Sequence, residues 1–541
     1  MPGGLLNIIS VGSANIILTG NPSKTFFKVT YSKYTNFGLQ KFRLDYNGLR
    51  ELRLTEPSKF TFKIKRYADL LMDTYLVLNL PDIWSPVWEA RSSTDNKISP
   101  YEFKWIENLG TQMIEEIEII CGSQTLQRYS GQYLQSMMQR DFTKEKKELF
   151  DKMSGHTPEL NDPANDPARV RTPPYKQNTY PNAIHTTNSS GAEPSIRGRT
   201  VYIPLNTWFS LDSRCAFPLI ALQYQELSIN VTIRPMIDLF QVRDVFDHEN
   251  GFPYIKVRPG EDAFQLYRYL QTPPSLDIAS TNYENKTNSW DADVHLLSTY
   301  CFLSEEEQAN FASQDQAYLI KEIHEYDFLN VVGSQRVKLQ SATGMVSSWM
   351  WYFQRNDAFL RNEWSNYTNW PYKNNIPSNI QLDSTSYTDP IYKSGDYHSV
   401  NQRSILETLG IVFGGDYREV SMPRGVYDYV EKYTRTQGFA EEGLYCYNFS
   451  LNTSPFEYQP SGAVNTGRFK NIELDFTTFK PPIDEAGSTV NIDCDDSGTP
   501  INVSSKPAWA LYVYNYNLHV FEERYNIISF VNGNCGLMHA R

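Results

Sequence analysis

Apolar and polar residues alternate with a period of two along much of this chain. Phe60, Phe62 and Ile64 alternate with Thr61, Lys63 and Lys65, and Leu227, Ile229, Val231 and Ile233 with Ser228, Asn230, Thr232 and Arg234. Successive side chains of a strand point to opposite faces, so each run predicts a β-strand with one buried and one wetted face. The same reading covers residues 41–46, 74–80, 115–121, 347–353 and 510–521. Between them, 30 Pro and 29 Gly supply the turns that antiparallel connections need. A parallel α/β fold needs regular intervening helices, and the pattern offers only two helical excursions. One covers residues 131–153; the other begins at Ser304, where Glu307 completes a capping box.

Length and composition sharpen this all-β picture. The 541 residues accommodate two large β units, and 40% hydrophobic with 14% aromatic residues is enough for full cores. The net charge of −12, with no stretch that concentrates Lys and Arg as a phosphate-tracking groove requires, argues against direct nucleic-acid wrapping. Six cysteines, at 121, 215, 301, 446, 494 and 535, form no CxxC pair and read as free thiols of a reducing compartment. No basic residue precedes Lys24, and Gly, Ser and Asn interrupt the apolar stretches before it. The segment therefore predicts neither a signal peptide nor a membrane span, and the chain is expected to fold in the cytosol. Residues 154–199 and 372–401, rich in Pro, Asn, Ser and Thr, read as long loops.

Candidate chemistry is sparse. No P-loop, GxGxxG, GxSxG or HExxH pattern occurs, which points away from an enzyme and from a bound cofactor. The glycine-bearing stretch QPSGAVNTGRFKNIELDF (459–476) could cradle a phosphate only by leading into a helix; its continuation has period two, so it reads as a turn entering a strand. Asp291, Asp293 and His295 would share one face of a strand and could hold a divalent metal, but an ordinary half-exposed strand has the same pattern, and no metal site is assigned. The pairs Glu441–Glu442 and Glu522–Glu523 point apart on a strand and read as solvated charge rather than a glycosidase couple. Residues 347–372 hold four of the ten Trp; a glycan-stacking platform is one reading. Trp349, Trp351 and Phe353 keep the strand period and favour the other, a core strand followed by an aromatic loop buried against a neighbouring subunit. Of seven Asn-x-Ser/Thr sequons, Asn188, Asn285, Asn366, Asn452 and Asn502 are the glycosylation candidates, while Asn230 lies inside a predicted strand and Asn448 is set aside as a chance match.

Three blocks carry a family resemblance. LTGNPSKTFFKVTYSKYTNF (18–37), VYIPLNTWFSLDSRCAFPLIALQYQELSINVTI (201–233) and PSGAVNTGRFKNIEL (460–474) resemble hallmark segments of the major capsid proteins of nucleocytoplasmic large DNA viruses. YFQRNDAFLRNEWSNYTNWPY (352–372) is similar to the branch of mimivirus-like and algal viruses. Thr466-Gly467-Arg468 departs from the more usual Ser-Arg version of the third block, and the carboxyl-terminal end departs from the usual Met- and Gly-rich close.

The resemblance implies a double jelly-roll: two tandem eight-stranded antiparallel β-sandwiches with loop and short helical insertions. It divides the chain into an amino-terminal arm (1–24), a first roll (25–238) and a second (239–541). It implies a structural protein without catalytic residues, metal or cofactor. The protein is expected to form homotrimers, pseudo-hexagonal capsomers that tile the icosahedral shell of a virion assembled in host cytoplasm. Expected partners are neighbouring capsomers, minor capsid or cement proteins, penton proteins and, through minor proteins, the inner viral membrane; nucleic acid is not among them. The arm reads as a strap that orders on docking. The alternatives are a scaffold protein shaping immature viral membranes and a carbohydrate-binding β-sandwich.

Overall fold

Phe60 and Phe62 point inward and Lys59, Thr61 and Lys63 outward, as a period of two requires. The computed structural model describes residues 2–89, 98–166, 179–184, 191–245, 253–257, 260, 264–274, 283–339, 344–374, 381–383, 391–393, 402–481, 491–494, 500–504 and 514–539. Parts of both predicted long loops, including 167–178, 185–190, 375–380, 384–390 and 394–401, lie outside them.

The first sandwich comprises β1 (Gly38–Asp45), β2 (Ser58–Lys63), β3 (Leu70–Leu80), β4 (Ile114–Cys121), β5 (Gln124–Tyr129), β6 (Arg199–Pro204), β7 (Leu227–Ile233) and β8 (His295–Phe302). One sheet runs β1-β8-β3-β6 and the other β2-β7-β4-β5, all neighbours antiparallel. The second comprises β9 (Gln316–Val331), β10 (Ser334–Leu339), β11 (Met345–Arg355), β12 (Leu406–Phe413), β13 (Asp416–Pro423), β14 (Leu444–Asn448), β15 (Ile472–Thr478) and β16 (Tyr516–Val531). Its sheets run β9-β16-β11-β14 and β10-β15-β12-β13, again antiparallel. Each strand of the second sandwich thus takes the position of its counterpart in the first, and the two are jelly rolls of one design. The strand that completes the first roll is β8, beyond the division expected after residue 238.

The predicted strands all appear, with ends shifted by a few residues; of the last, 510–521, the part from Tyr516 on lies in β16, and residues 510–513 are outside the described set. The turn predicted in 459–476 also appears. Asn465 accepts from the Gly467 amide at 3.1 Å, a short 3-10 turn covers Thr466–Arg468, and β15 follows with alternating burial. The first helical excursion is two helices, α1 (Gly131–Asp141) and α2 (Lys144–Ser154), separated by extended Phe142. The second is α3 (Glu305–Ser313), whose cap at Ser304 lacks the expected side-chain bond. Glu307 instead accepts from Thr35 at 2.7 Å, and the apolar residues after Gln316 belong to β9, which pairs with β16 over most of its length.

Strand β11 sits between two cores. Trp349, Trp351 and Phe353 enter the second core with Leu409, Leu474 and Phe476. Met350 and Tyr352, on its other face, join the first core. The sheet of β9, β11, β14 and β16 is therefore the wall shared by both sandwiches. Helix α1 fills the seam: every residue from Tyr133 to Asp141 is buried.

Candidate functional site at the junction of the two sandwiches

Helix α1 is placed by its first two residues. Ser130 caps it, its hydroxyl accepting from the Tyr133 amide at 3.2 Å. At Gly131 a Cβ would lie 1.9 Å from the Thr111 carbonyl oxygen and 2.5 Å from that of Ile114, so only glycine allows this approach. The helix carries Tyr133, Arg140 and Asp141 into the seam. From the other side, β11 contributes Ser348 and β16 contributes Glu523, which are register partners; β9 contributes Lys321.

These groups form one closed network. Arg140 donates to Glu523 at 2.7 Å and to Asp141 at 2.7 Å, with a third contact to the Ser348 hydroxyl at 3.2 Å. Tyr133 donates its hydroxyl to Glu523 at 2.9 Å and Ser348 to the other carboxylate oxygen at 2.7 Å. Lys321 lies 3.6 Å from Glu523 and donates to the Thr453 carbonyl, while the Thr453 hydroxyl donates to Asp141 at 2.6 Å. Two cations face two anions, so the buried cluster is neutral. Burial pushes the Glu523 carboxyl up, but Arg140 and Lys321 outweigh it and hold it below the usual carboxylate range. At Asp141 burial prevails over Arg140 and raises the carboxyl. A buried charge without its partner is costly, so this set of contacts fixes one relative placement of the sandwiches.

A second clasp comes from the aromatic segment after β11. Asn362 donates to the carbonyls of Ile237 and Phe240 at 2.7 and 2.8 Å, and the Trp364 indole donates to that of Asp238 at 2.9 Å. Arg234 stacks on Trp364, 4.4 Å from the ring centre. At the root of this segment Asp357 is bound by Arg355 and Arg361, which overcome burial and hold its carboxyl well below the usual range. The expected burial of the strand aromatics is present, and Trp364, half-buried, packs against the first sandwich of its own chain.

The other sequence candidates are dispersed. Glu522 and Glu523 are a correction: both are buried, at 2% and 1% exposure, not solvated. They do point apart, as neighbours on a strand must; Glu522 is bound by Arg524 and by the Trp349 indole at 2.8 Å. Glu441 pairs with Lys373 at 2.6 Å and Glu442 accepts from Tyr429 at 3.0 Å. Asp291, Asp293 and His295 do not share a strand face, because Asp293 has φ +46° and β8 begins only at His295. Asp293 is taken by Arg43 at 2.6 Å and Arg50 at 2.7 Å, and no trio of potential metal ligands occurs among the described residues.

Cysteines 121, 215, 301, 446 and 535 are free and buried. Asn285 is exposed and Asn452 half-buried, whereas Asn366 is 3% exposed and spends its amide on the Trp370 carbonyl. Asn188 and the Asn502 side chain fall outside the described residues. Sequence reading missed Arg140 and Asp141, and nothing local marks them: an adjacent Arg–Asp pair ordinarily means a solvated surface.

Comparison with known proteins places this arrangement. Residues 25–258 match the family profile described as "Major capsid protein N-terminus", and residues 307–536 the profile described as "Large eukaryotic DNA virus major capsid protein". The chain is 25% identical to the major capsid protein of Phaeocystis pouchetii virus, over 88% of this chain and 92% of that one. It is 22% identical to that of Paramecium bursaria Chlorella virus 1 over the full length of both. Among solved structures it resembles the chain of the PBCV-1 virus capsid, with TM-score 0.58, 17% identity and coverage of 96% of this chain and 100% of that chain. The Faustovirus major capsid protein is similar at TM-score 0.58 and 12% identity, covering 97% and 96%. At these identities the structural likeness is one of fold.

Proposed function

Because the chain belongs to the family of large eukaryotic DNA virus major capsid proteins, we propose that its work is assembly: three copies close into a pseudo-hexagonal capsomer, and capsomers tile the shell. The major capsid proteins of large DNA viruses are structural, so the fold itself is the working part. The observation that carries the reading is the repeated strand order of the two sandwiches, locked side by side through α1. Two like units fixed in one subunit give a threefold assembly a nearly sixfold outline, and sixfold blocks tile with repeated contacts. A hinge between the sandwiches would blur that outline; the neutral buried network and the Trp364 clasp oppose one.

We place the division between the two rolls in the segment of α3, between Phe302 and Gln316, with the arm before β1. Exposed apolar side chains following β13, among them Tyr433 at 91% and Phe439 at 85%, supply material for subunit contacts. Contacts between capsomers are more polar and salt-sensitive. Minor capsid and penton proteins complete the shell, assembly takes place in host cytoplasm, and Asn285 is the sequon best placed to carry a glycan.

The test is the native mass of the recombinant chain together with an electron micrograph of its outline. A trimer with hexagonal outline is expected; a stable monomer at micromolar concentration overturns the reading.

A further inference from the structure

Residues 2–41 are all exposed, although they include some of the most apolar sequence in the protein. Two short helices, Gly3–Ile9 and Ser13–Thr19, carry no charge and bury nothing. Ile17 is 83% exposed, Leu18 88%, Phe26 85% and Phe27 99%. Apolar surface on this scale normally marks a contact.

Charge identifies the kind of contact. The chain as a whole carries −12, yet its first acidic residue is Asp45, and Lys24, Lys28, Lys33, Lys41 and Arg43 precede it. Three of these lysines alternate with exposed aromatics: Lys24, Phe26, Phe27, Lys28, Tyr31, Lys33, Tyr34. Aliphatic helices followed by a basic and aromatic stretch present two layers of chemistry, one for hydrocarbon and one for an anionic headgroup plane. No helix of the described residues is long and apolar enough to cross a bilayer, so the fit is to the surface and not the interior. Nucleic acid would match the lysines and aromatics but leave the uncharged helices without a partner. A second copy of this acidic chain would match the lysines, but the apolar side chains it exposes after β13, Tyr433 and Phe439 among them, are those assigned above to subunit contacts, whereas a bilayer receives both helices and the lysines together.

We propose that the segment 2–37 is a membrane-surface anchor that docks this protein directly on an anionic lipid bilayer. Leu5 to Leu18 enter the headgroup–acyl boundary, and Lys24, Lys28 and Lys33 lie at the charged plane with Phe26 and Phe27 between them. Neither signal suffices alone, since one short apolar element or a few lysines binds only weakly and reversibly.

The experiment is flotation of the full-length protein with vesicles of phosphatidylserine and phosphatidylcholine, and of phosphatidylcholine alone. Partition into the anionic vesicles should exceed that into neutral ones at least about tenfold and fall about tenfold between 50 and 500 mM salt. The variant K24Q/K28Q/K33Q should lose the anionic preference, and I16S/I17S/L18S should lose about tenfold on both vesicles. Because these residues bury nothing, both variants should unfold at the parent's temperature. Equal flotation of parent and variants overturns the proposal, as does vesicle-independent pelleting that needs the arm. Tighter binding to a poly-dT oligonucleotide than to anionic vesicles would assign the arm to nucleic acid instead. None of these readouts needs a trimer or a shell, so the outcome is separate from that of the assembly reading.

Discussion

Replacing Arg140 with Met leaves the Glu523 and Asp141 carboxylates in a dry seam with Lys321 as the remaining nearby cation, 3.6 Å from Glu523. Arg140 contacts both carboxylates at 2.7 Å; at an effective dielectric of about 20 one such pair attracts by roughly 6 kcal/mol. Desolvation of the ions offsets much of this, and measured losses on removing one partner of a buried pair are about 3–5 kcal/mol. For units of this size each kcal/mol moves the melting temperature by roughly 2–4 °C, so Arg140→Met should melt about 6–20 °C lower at pH 7.

The pH dependence carries the sign. In the parent, Glu523 titrates below its ordinary 4.5, so its stabilising contribution is present above pH 4.5 and lost as pH falls through the lowered value. In the variant burial acts without Arg140 and raises the carboxyl, so acidification relieves the unpaired charge. The deficit should therefore shrink between pH 7 and pH 5. Scanning calorimetry of parent, Arg140→Met and the triple variant R140M/D141N/E523Q at both pH values reads this, with the triple recovering most of the loss. A deficit under about 3 °C at pH 7, or one of equal size at pH 5, would refute the reasoning.

Three further outcomes follow from the packing. Gly131→Ala should destabilise by at least about 3 kcal/mol in urea unfolding, because its Cβ would meet backbone carbonyls at 1.9 and 2.5 Å that cannot move without shifting α1; a loss under about 1 kcal/mol, or a gain toward the roughly 1 kcal/mol by which a helix intrinsically favours Ala over Gly, would show that α1 is not wedged there. Cys446, which burial pushes up to about 12, should stay unalkylated by iodoacetamide at pH 8 until the protein is denatured, read by peptide mass spectrometry. Deleting residues 1–24 should leave the melting temperature within about 1 °C, since both arm helices bury nothing, while impairing shell formation; a chain that fails to fold would make the arm part of the core.

Strand β7 was legible with its ends intact, and so was the turn into β15, because the alternation of Leu227, Ile229, Val231 and Ile233 depends only on residues two apart. Strand β8 was not: Ser298, Thr299, Tyr300 and Cys301 are buried in succession, so it shows no sustained alternation, and its partners β1 and β3 lie far upstream. The alternation therefore ends the first roll at β7. The alternating Trp349, Trp351 and Phe353 announced a core strand, but not that Met350 and Tyr352 between them face a second core.

The sequence by itself determined the strand-forming runs, the turns and, through the three family blocks, the architecture. Only the tertiary structure decided that Glu522 and Glu523 are buried, and that the two sandwiches are held by α1. The physical reason is range. Alternation is a property of neighbouring side chains, whereas a carboxylate can stay charged in a dry seam only if a cation reaches it, and for Glu523 that cation is Arg140, 383 residues away in the chain.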